Sequence, residues 1–196
     1  MKQIPALLIA FSIIFTAATA SALPTVSVDT DPGTPGIQTG LDILVGDTFT
    51  IDVVIQELWD WTLFLEAFLF NLDFDTAVLS AVSVESGEFL PPPLLYVPDP
   101  SYPYVRYGEV RFPGYSALTD ENGVLASITF EAIGSGTSLL DLNNVILSDP
   151  DFYNFAPVTN DGSVIVASAP VPEPSTMFLI GTGLVGLAGL RRKFRN

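Results

Sequence analysis

The chain predicts an all-β fold, a β-sandwich of jelly-roll type with an export segment before it and a membrane segment after it. Three observations carry that expectation. Apolar and polar residues alternate with period two through the body, turn-forming Gly, Asn and Asp separate most of the alternating runs, and no long segment outside the termini has helical period.

Lys2 precedes an apolar stretch from Ile4 to Ala18, and Ala20-Ser21-Ala22 offers small residues at the −3 and −1 positions of a cleavage site. Residues 1–22 read as a secretory signal peptide cleaved after Ala22, with cleavage after Ala20 as the alternative. Residues 23–170 are then left as one domain, long enough to bury a core.

In Thr48–Ile55, the side chains of Phe49, Ile51, Val53 and Ile55 share a face. In Ala67–Asp75, Phe68, Phe70, Leu72 and Phe74 point one way and Ala67, Leu69, Asn71, Asp73 and Asp75 the other. In Leu125–Ile133, Ala126, Ile128, Phe130 and Ala132 oppose Ser127, Thr129 and Glu131. Shorter strands are expected at Thr25–Val28, Val82–Val84, Tyr104–Tyr107, Glu109–Phe112, Asn144–Leu147 and Ser163–Ala167, about nine in all. Turns are expected at Val45-Gly46-Asp47, Tyr107-Gly108-Glu109, Glu121-Asn122-Gly123, residues 133–136 and Asn160-Asp161-Gly162. Asp75 to Leu79 can form one helical turn.

At the C-terminus, Val171-Pro172-Glu173-Pro174-Ser175-Thr176 precedes an uncharged run ending at Leu190, then Arg191-Arg192-Lys193-Phe194-Arg195. Pro172 and Pro174 lack amide hydrogens, so that tripeptide is expected to be extended and open to a processing enzyme. Ser175 or Thr176 can cap the helix that follows. Residues 175–190 read as a transmembrane helix of roughly 24 Å, a little under the ~30 Å hydrocarbon core, with thinning or snorkelling to make up the difference. The basic tail, 191–196, is expected to stay cytoplasmic.

Two basic residues, Arg106 and Arg111, face 21 acidic ones in residues 23–170, a net charge of −19 against −15 for the whole chain. That balance repels nucleic acid and attracts cations, Ca²⁺ among them. The chain has neither cysteine nor histidine. Disulfides, Ser-His-Asp and Cys-His catalysis and histidine zinc sites are therefore excluded.

Residues 171–196 resemble a PEP-CTERM sorting signal, carried by the motif Val171, Pro172, Glu173, Pro174, Ser175, the glycine-bearing helix and the basic stop Arg191, Arg192, Lys193 and Arg195. The resemblance implies a Gram-negative bacterium, an inner-membrane-anchored precursor and cleavage by an exosortase-type membrane protease. It also implies association with exopolysaccharide or biofilm at the cell surface or in the matrix. The body resembles a cohesin-like domain from about residue 24 to 167. The likeness lies in residues 45–55, residues 67–79, Gly87-Glu-Phe-Leu, residues 123–132, Gly136-Thr-Ser-Leu-Leu, Asn144-Val-Ile-Leu-Ser-Asp and Asp161-Gly-Ser-Val-Ile-Val. It implies a nine-stranded jelly-roll sandwich related in fold to carbohydrate-binding modules, and a dockerin-like partner on a separate chain. Residues 59–61 and the proline-tyrosine-rich stretch from Pro91 to Tyr107 depart from the family pattern.

Candidate glycan contacts are Trp59, Trp61, Tyr102, Tyr104 and Tyr107, because aromatic rings stack on the CH faces of sugars; core packing is the alternative. Candidate Ca²⁺ ligands are Asp29 and Asp31, Asp120 to Asn122, and Asp149 and Asp151 with Asn154, Asp149 and Asp151 foremost; solvated turn carboxylates are the alternative. No pair of acids marks a cleft, so a non-enzymatic surface or matrix protein is expected. A carbohydrate-binding module and a dockerin-type interaction module are the alternatives.

Overall fold

Apolar residues at alternate positions of a strand are buried only where a second sheet covers them, and the chain supplies two sheets. The computed structural model describes residues 23–58, 65–87, 89–90, 104–110, 122–149, 151, 153–168 and 174–193. The strands are β1 (Thr25–Asp29), β2 (Gly40–Leu44), β3 (Thr48–Gln56), β4 (Ala67–Asp73), β5 (Leu79–Ser86) and β6 (Tyr104–Val110). They continue with β7 (Gly123–Ala132), β8 (Gly136–Ser148), β9 (Asn154–Phe155), β10 (Val158–Asn160) and β11 (Gly162–Ala167), and α1 (Pro174–Lys193) follows. The first sheet runs β10-β1-β3-β7-β5 and the second β2-β11-β8-β4-β6, with β9 added beside β8. Pairing is antiparallel except at β1–β10 and β2–β11.

The expected faces are the observed ones. Ile51, Val53 and Ile55 of β3, Phe68, Phe70 and Leu72 of β4 and Ile128 and Phe130 of β7 are buried together. Phe49 and Phe74 stack and abut on Phe130 at ring-centroid distances of 5.8 and 5.1 Å. Phe68, Phe70 and Tyr107 form a second aromatic group at 5.9–6.3 Å. Asp75 starts the expected helical turn, its carbonyl accepting the Val78 and Leu79 amides at 3.0 and 2.9 Å. At Gly46, φ is 95°, and Asp47 closes the turn by accepting the Leu44 amide through Oδ2 at 2.9 Å.

Eleven strands among the described residues replace the nine expected. β2, β9 and β10 are short additions, and residues 136–148 form one long strand rather than a strand beginning at Asn144. That strand bends at a bulge, where register with β4 shifts between Leu69 and Asn71 and Asn144 takes a φ of 49°. Asparagine tolerates that left-handed conformation better than most residues. No turn divides Tyr107 from Glu109: β6 passes straight through Gly108. The glycine is there for close approach, since a Cβ would meet the Phe68 carbonyl oxygen at 2.7 Å and Leu69 Cδ1 at 3.0 Å. Residue 112 and the Glu121 part of the next expected turn lie outside the described residues.

The C-terminal helix begins at Pro174, one residue earlier than expected, so Ser175 and Thr176 lie inside it rather than at its cap. Proline suits the first helical position, where its missing amide hydrogen costs nothing. Pro174 is thus helical, not extended. Phe178, Leu179, Ile180, Leu184, Val185 and Leu187 are all exposed. Among the described residues no helix is long and apolar enough to cross a membrane.

Replacing Phe70 by Ala is expected to lower the unfolding free energy by about 3–5 kcal/mol. The urea-unfolding midpoint of the full chain reads this, and an unchanged midpoint contradicts the placement of Phe70 in the core.

Candidate functional site

The two outer faces of the sandwich differ in chemistry. On the first sheet, Thr48, Thr50, Asp52, Ser127, Thr129, Glu131, Ser83 and Glu85 occupy matching cross-strand rows. The Thr50 and Thr129 hydroxyls lie 3.0 Å apart, and the Ser127 hydroxyl donates to Asp52 Oδ1 at 2.6 Å. Its large exposed apolar residues, Val82 and Val158, sit on the two edge strands β5 and β10. Such a polar face suits solvent exposure on one side of an antiparallel sheet.

The second sheet is different. Leu139, Ile165, Leu44 and Ile146 are 66, 51, 40 and 37 % exposed on its strands. Ala67, Leu69, Gly108, Val110, Ile146 and Ser148 outline a shallow, largely apolar groove of about 240 Å³ across β8, β4 and β6. Register explains the groove. Leu69 stands opposite Ile146 on one side and Gly108 on the other, so an aliphatic pair borders a position with no side chain. Farther along the same face, Asn71 is opposite Arg106 and Asn143, and Asp73 is opposite Tyr104 and Asp141. Asn71 Oδ1 is buried without a hydrogen-bond partner.

Of the candidate glycan contacts, the described residues include Tyr104 and Tyr107. Tyr107 is fully buried, and its hydroxyl donates to Glu109 Oε1, whose carboxyl is also fully buried. Period two explains this correction: Val105, Tyr107 and Glu109 all point inward along β6. Tyr104 is half-buried at the start of β6, while Trp59, Trp61 and Tyr102 lie outside the described residues.

The candidate calcium ligands work as loop acceptors. Asp149 Oδ1 accepts the Asp151 and Tyr153 amides at 3.0 and 2.9 Å, Asp151 is exposed, and Asn154 Oδ1 accepts the Ser148 hydroxyl at 2.6 Å. Asp29 Oδ1 accepts the Gln38 and Asp31 amides at 3.0 and 3.2 Å, pinning the loop that carries the chain from β1 to β2. Asn122 Oδ1 accepts the Glu57 amide at 3.0 Å, while Asp120 and Glu121 lie outside the described residues. Among the described residues no group of three or more Asp or Glu side chains is placed to hold a metal ion.

Of the terminal signals, Ala20, Ala22, Val171, Pro172, Glu173 and Arg195 lie outside the described residues; Pro174, Ser175, Arg191, Arg192 and Lys193 fall within α1. The outward aliphatic residues of the second sheet were not singled out from the sequence as a site. Their signal was present at Leu69, an apolar residue at an outward position of an otherwise alternating strand.

The fold and the C-terminal motif are those of an exported protein with a protein-interaction module. Residues 39–166 match the cohesin domain, which is more than half of the chain, and the chain belongs to the cohesin family. Residues 170–193 match the PEP-CTERM protein-sorting motif, which marks exported proteins anchored through the C-terminus before processing. Among solved structures, the chain is similar to a non-cellulosomal cohesin from the archaeon Archaeoglobus fulgidus, with 16% identity, a TM-score of 0.57 and coverage of 75% of this chain and 93% of that one. It is also similar to a cohesin in the OlpC cohesin–dockerin complex of Clostridium thermocellum, with 19% identity, a TM-score of 0.60 and coverage of 78% and 99%. The seventh ScaB type I cohesin of Pseudobacteroides cellulosolvens gives 19%, 0.59, 78% and 97%. No curated protein matches the chain.

Tyr107→Phe is expected to destabilise the domain by about 1–3 kcal/mol, because it removes the donor to a buried carboxyl whose Oε2 has no hydrogen-bond partner. A lower melting temperature of the variant checks this, and an unchanged one contradicts it.

Proposed function

We propose that this chain is a non-enzymatic surface or matrix protein of a Gram-negative bacterium. In this reading its sandwich docks a separate protein on the outer face of the second sheet. The observation that carries it is the contrast between faces: hydroxyls and carboxylates on one, Leu69, Ile146, Leu139 and Ile165 on the other. The groove at Leu69, Gly108 and Ile146 is exposed apolar surface on a strongly acidic body, and such surface is the usual mark of a docking site. Several solved cohesins that this chain is similar to are in complexes with dockerins, and a dockerin-like partner suits the same face.

The route is export through residues 1–22, temporary retention by the C-terminal helix and its basic end, and cleavage by an exosortase-type protease near Pro172-Glu173-Pro174. Cleavage there removes Arg191, Arg192, Lys193 and Arg195 and leaves the −19 body, soluble enough to enter an exopolysaccharide or biofilm matrix. A matrix setting does not require the sandwich itself to bind glycan. The inward position of Tyr107 takes away one of the five aromatic side chains on which that alternative rested.

Mass spectrometry of the exported protein, with cell fractionation, tests the route. The expected C-terminus lies upstream of the basic residues. Exported material that keeps an intact Arg191–Asn196 tail contradicts the processing step.

A further inference from the structure

The outer face of the second sheet pairs its apolar groove with an unusual electrostatic arrangement. Asp73 of β4 and Asp141 of β8 are direct cross-strand neighbours, and both are exposed. Like charges placed opposite each other weaken an antiparallel pair. Neither carboxylate has a hydrogen-bond or ion-pair partner among the described residues. Folding thus gains nothing from this pair. Several other carboxylates of the body have a structural role: Asp29, Asp47, Asp75, Asp149 and Asp161 each accept a backbone amide and hold a turn or loop.

Between the carboxylate pair and the groove, Asn71 Oδ1 is buried and unpartnered, an acceptor lacking a donor. Leu69, Asn71 and Asp73 stand two apart on one strand and so share a face. Four residues at about 3.3 Å put the Asp73 position about 13 Å from that of Leu69. One line along β4 therefore offers an aliphatic contact at Leu69 and, beyond Asn71, a double negative charge at Asp73 and Asp141.

Resting on the docking reading above, we infer that the partner of this face is a protein segment carrying an aliphatic side chain and, about 13 Å away, a lysine or arginine that sits between Asp73 and Asp141. On a helix that separation is about eight residues, a little over two turns. The overall charge favours the same partner, because a body of net charge −19 draws cationic surfaces and repels acidic ones. Arg106, diagonal to Asp73 across β4–β6, adds an exposed cation on the same face that disfavours a second lysine or arginine nearer the groove.

The test uses the full chain held in phosphatidylcholine nanodiscs and two fluorescein-labelled helical peptides. One carries Leu with Arg about eight residues on; the other has Glu in place of Arg. Binding is read by fluorescence anisotropy. The Arg peptide is expected to bind at least about fivefold more tightly than the Glu peptide, and to lose most of that advantage between about 0.05 and 0.5 M NaCl. The double variant Asp73→Asn/Asp141→Asn is expected to erase the preference. The double variant Glu85→Gln/Glu131→Gln, which removes the same charge from the opposite face, is expected to keep it. Equal loss in both double variants overturns the inference in favour of general electrostatic attraction. Equal affinity for the two peptides, or no binding of either at about 1 mM, also overturns it. Leu69→Asp separates the two readings. If it abolishes binding while the peptides bind alike, the docking face stands and the cationic partner falls. If binding is indifferent to Leu69→Asp, the docking face itself falls.

Discussion

Strand β4 is hydrogen-bonded on both edges, to β8 and β6, and its register decides what lies on either side of the second sheet. Phe68, Phe70 and Leu72 go to the core; Leu69, Asn71 and Asp73 go outward. A slip of one residue would exchange these two sets, burying Asn71 and Asp73 and exposing three large apolar side chains. The core therefore fixes the face. Burial of Phe70 and Phe68 against Tyr107, together with Phe74, just after β4, packed on the Phe130–Phe49 pair of the other sheet, holds the register that displays Leu69 beside Ile146.

A second constraint is the supply of polar partners. The chain has no cysteine to cross-link its loops, and its body has 21 acids against two cations. Carboxylates do the fastening instead. Asp29, Asp149 and Asp161 accept backbone amides and close the loops after β1, after β8 and between β10 and β11. Charge-assisted bonds to backbone amides are among the stronger ones available to a surface loop. This use of acids accounts for much of what resembled calcium-ligand clusters in the sequence. Asp73 and Asp141 do none of this fastening and stand directly opposite each other.

Much of the fold was legible because alternation is a local signal. Phe49 to Ile55 and Ala126 to Ala132 announce their buried faces without reference to any other part of the chain. What was not legible depended on distant contacts. Gly108 looks like a turn residue beside Tyr107 and Glu109, yet it is a strand residue kept small by the Phe68 carbonyl and Leu69. Once that turn is removed, Tyr107 falls into the inward row and leaves the surface. The length of β8 was not legible: a strand was expected only from Asn144, where the structure has a bulge inside a longer strand. The face itself was half-legible: Leu69 was assigned outward from the start, but only pairing with Ile146 and Gly108 makes a groove of it. The C-terminal motif was the easiest to recognise, since proline, glycine and basic residues carry it in linear order.

The central claim is that binding occurs on the second sheet and not on the first. Photo-crosslinking in growing cells tests it most directly, with a benzophenone side chain at Leu69 in one strain and at Thr129, on the opposite face, in another. The account predicts a discrete protein adduct of the exported chain from position 69 and none from position 129. Adducts from position 129 alone, or none from either position, would contradict it.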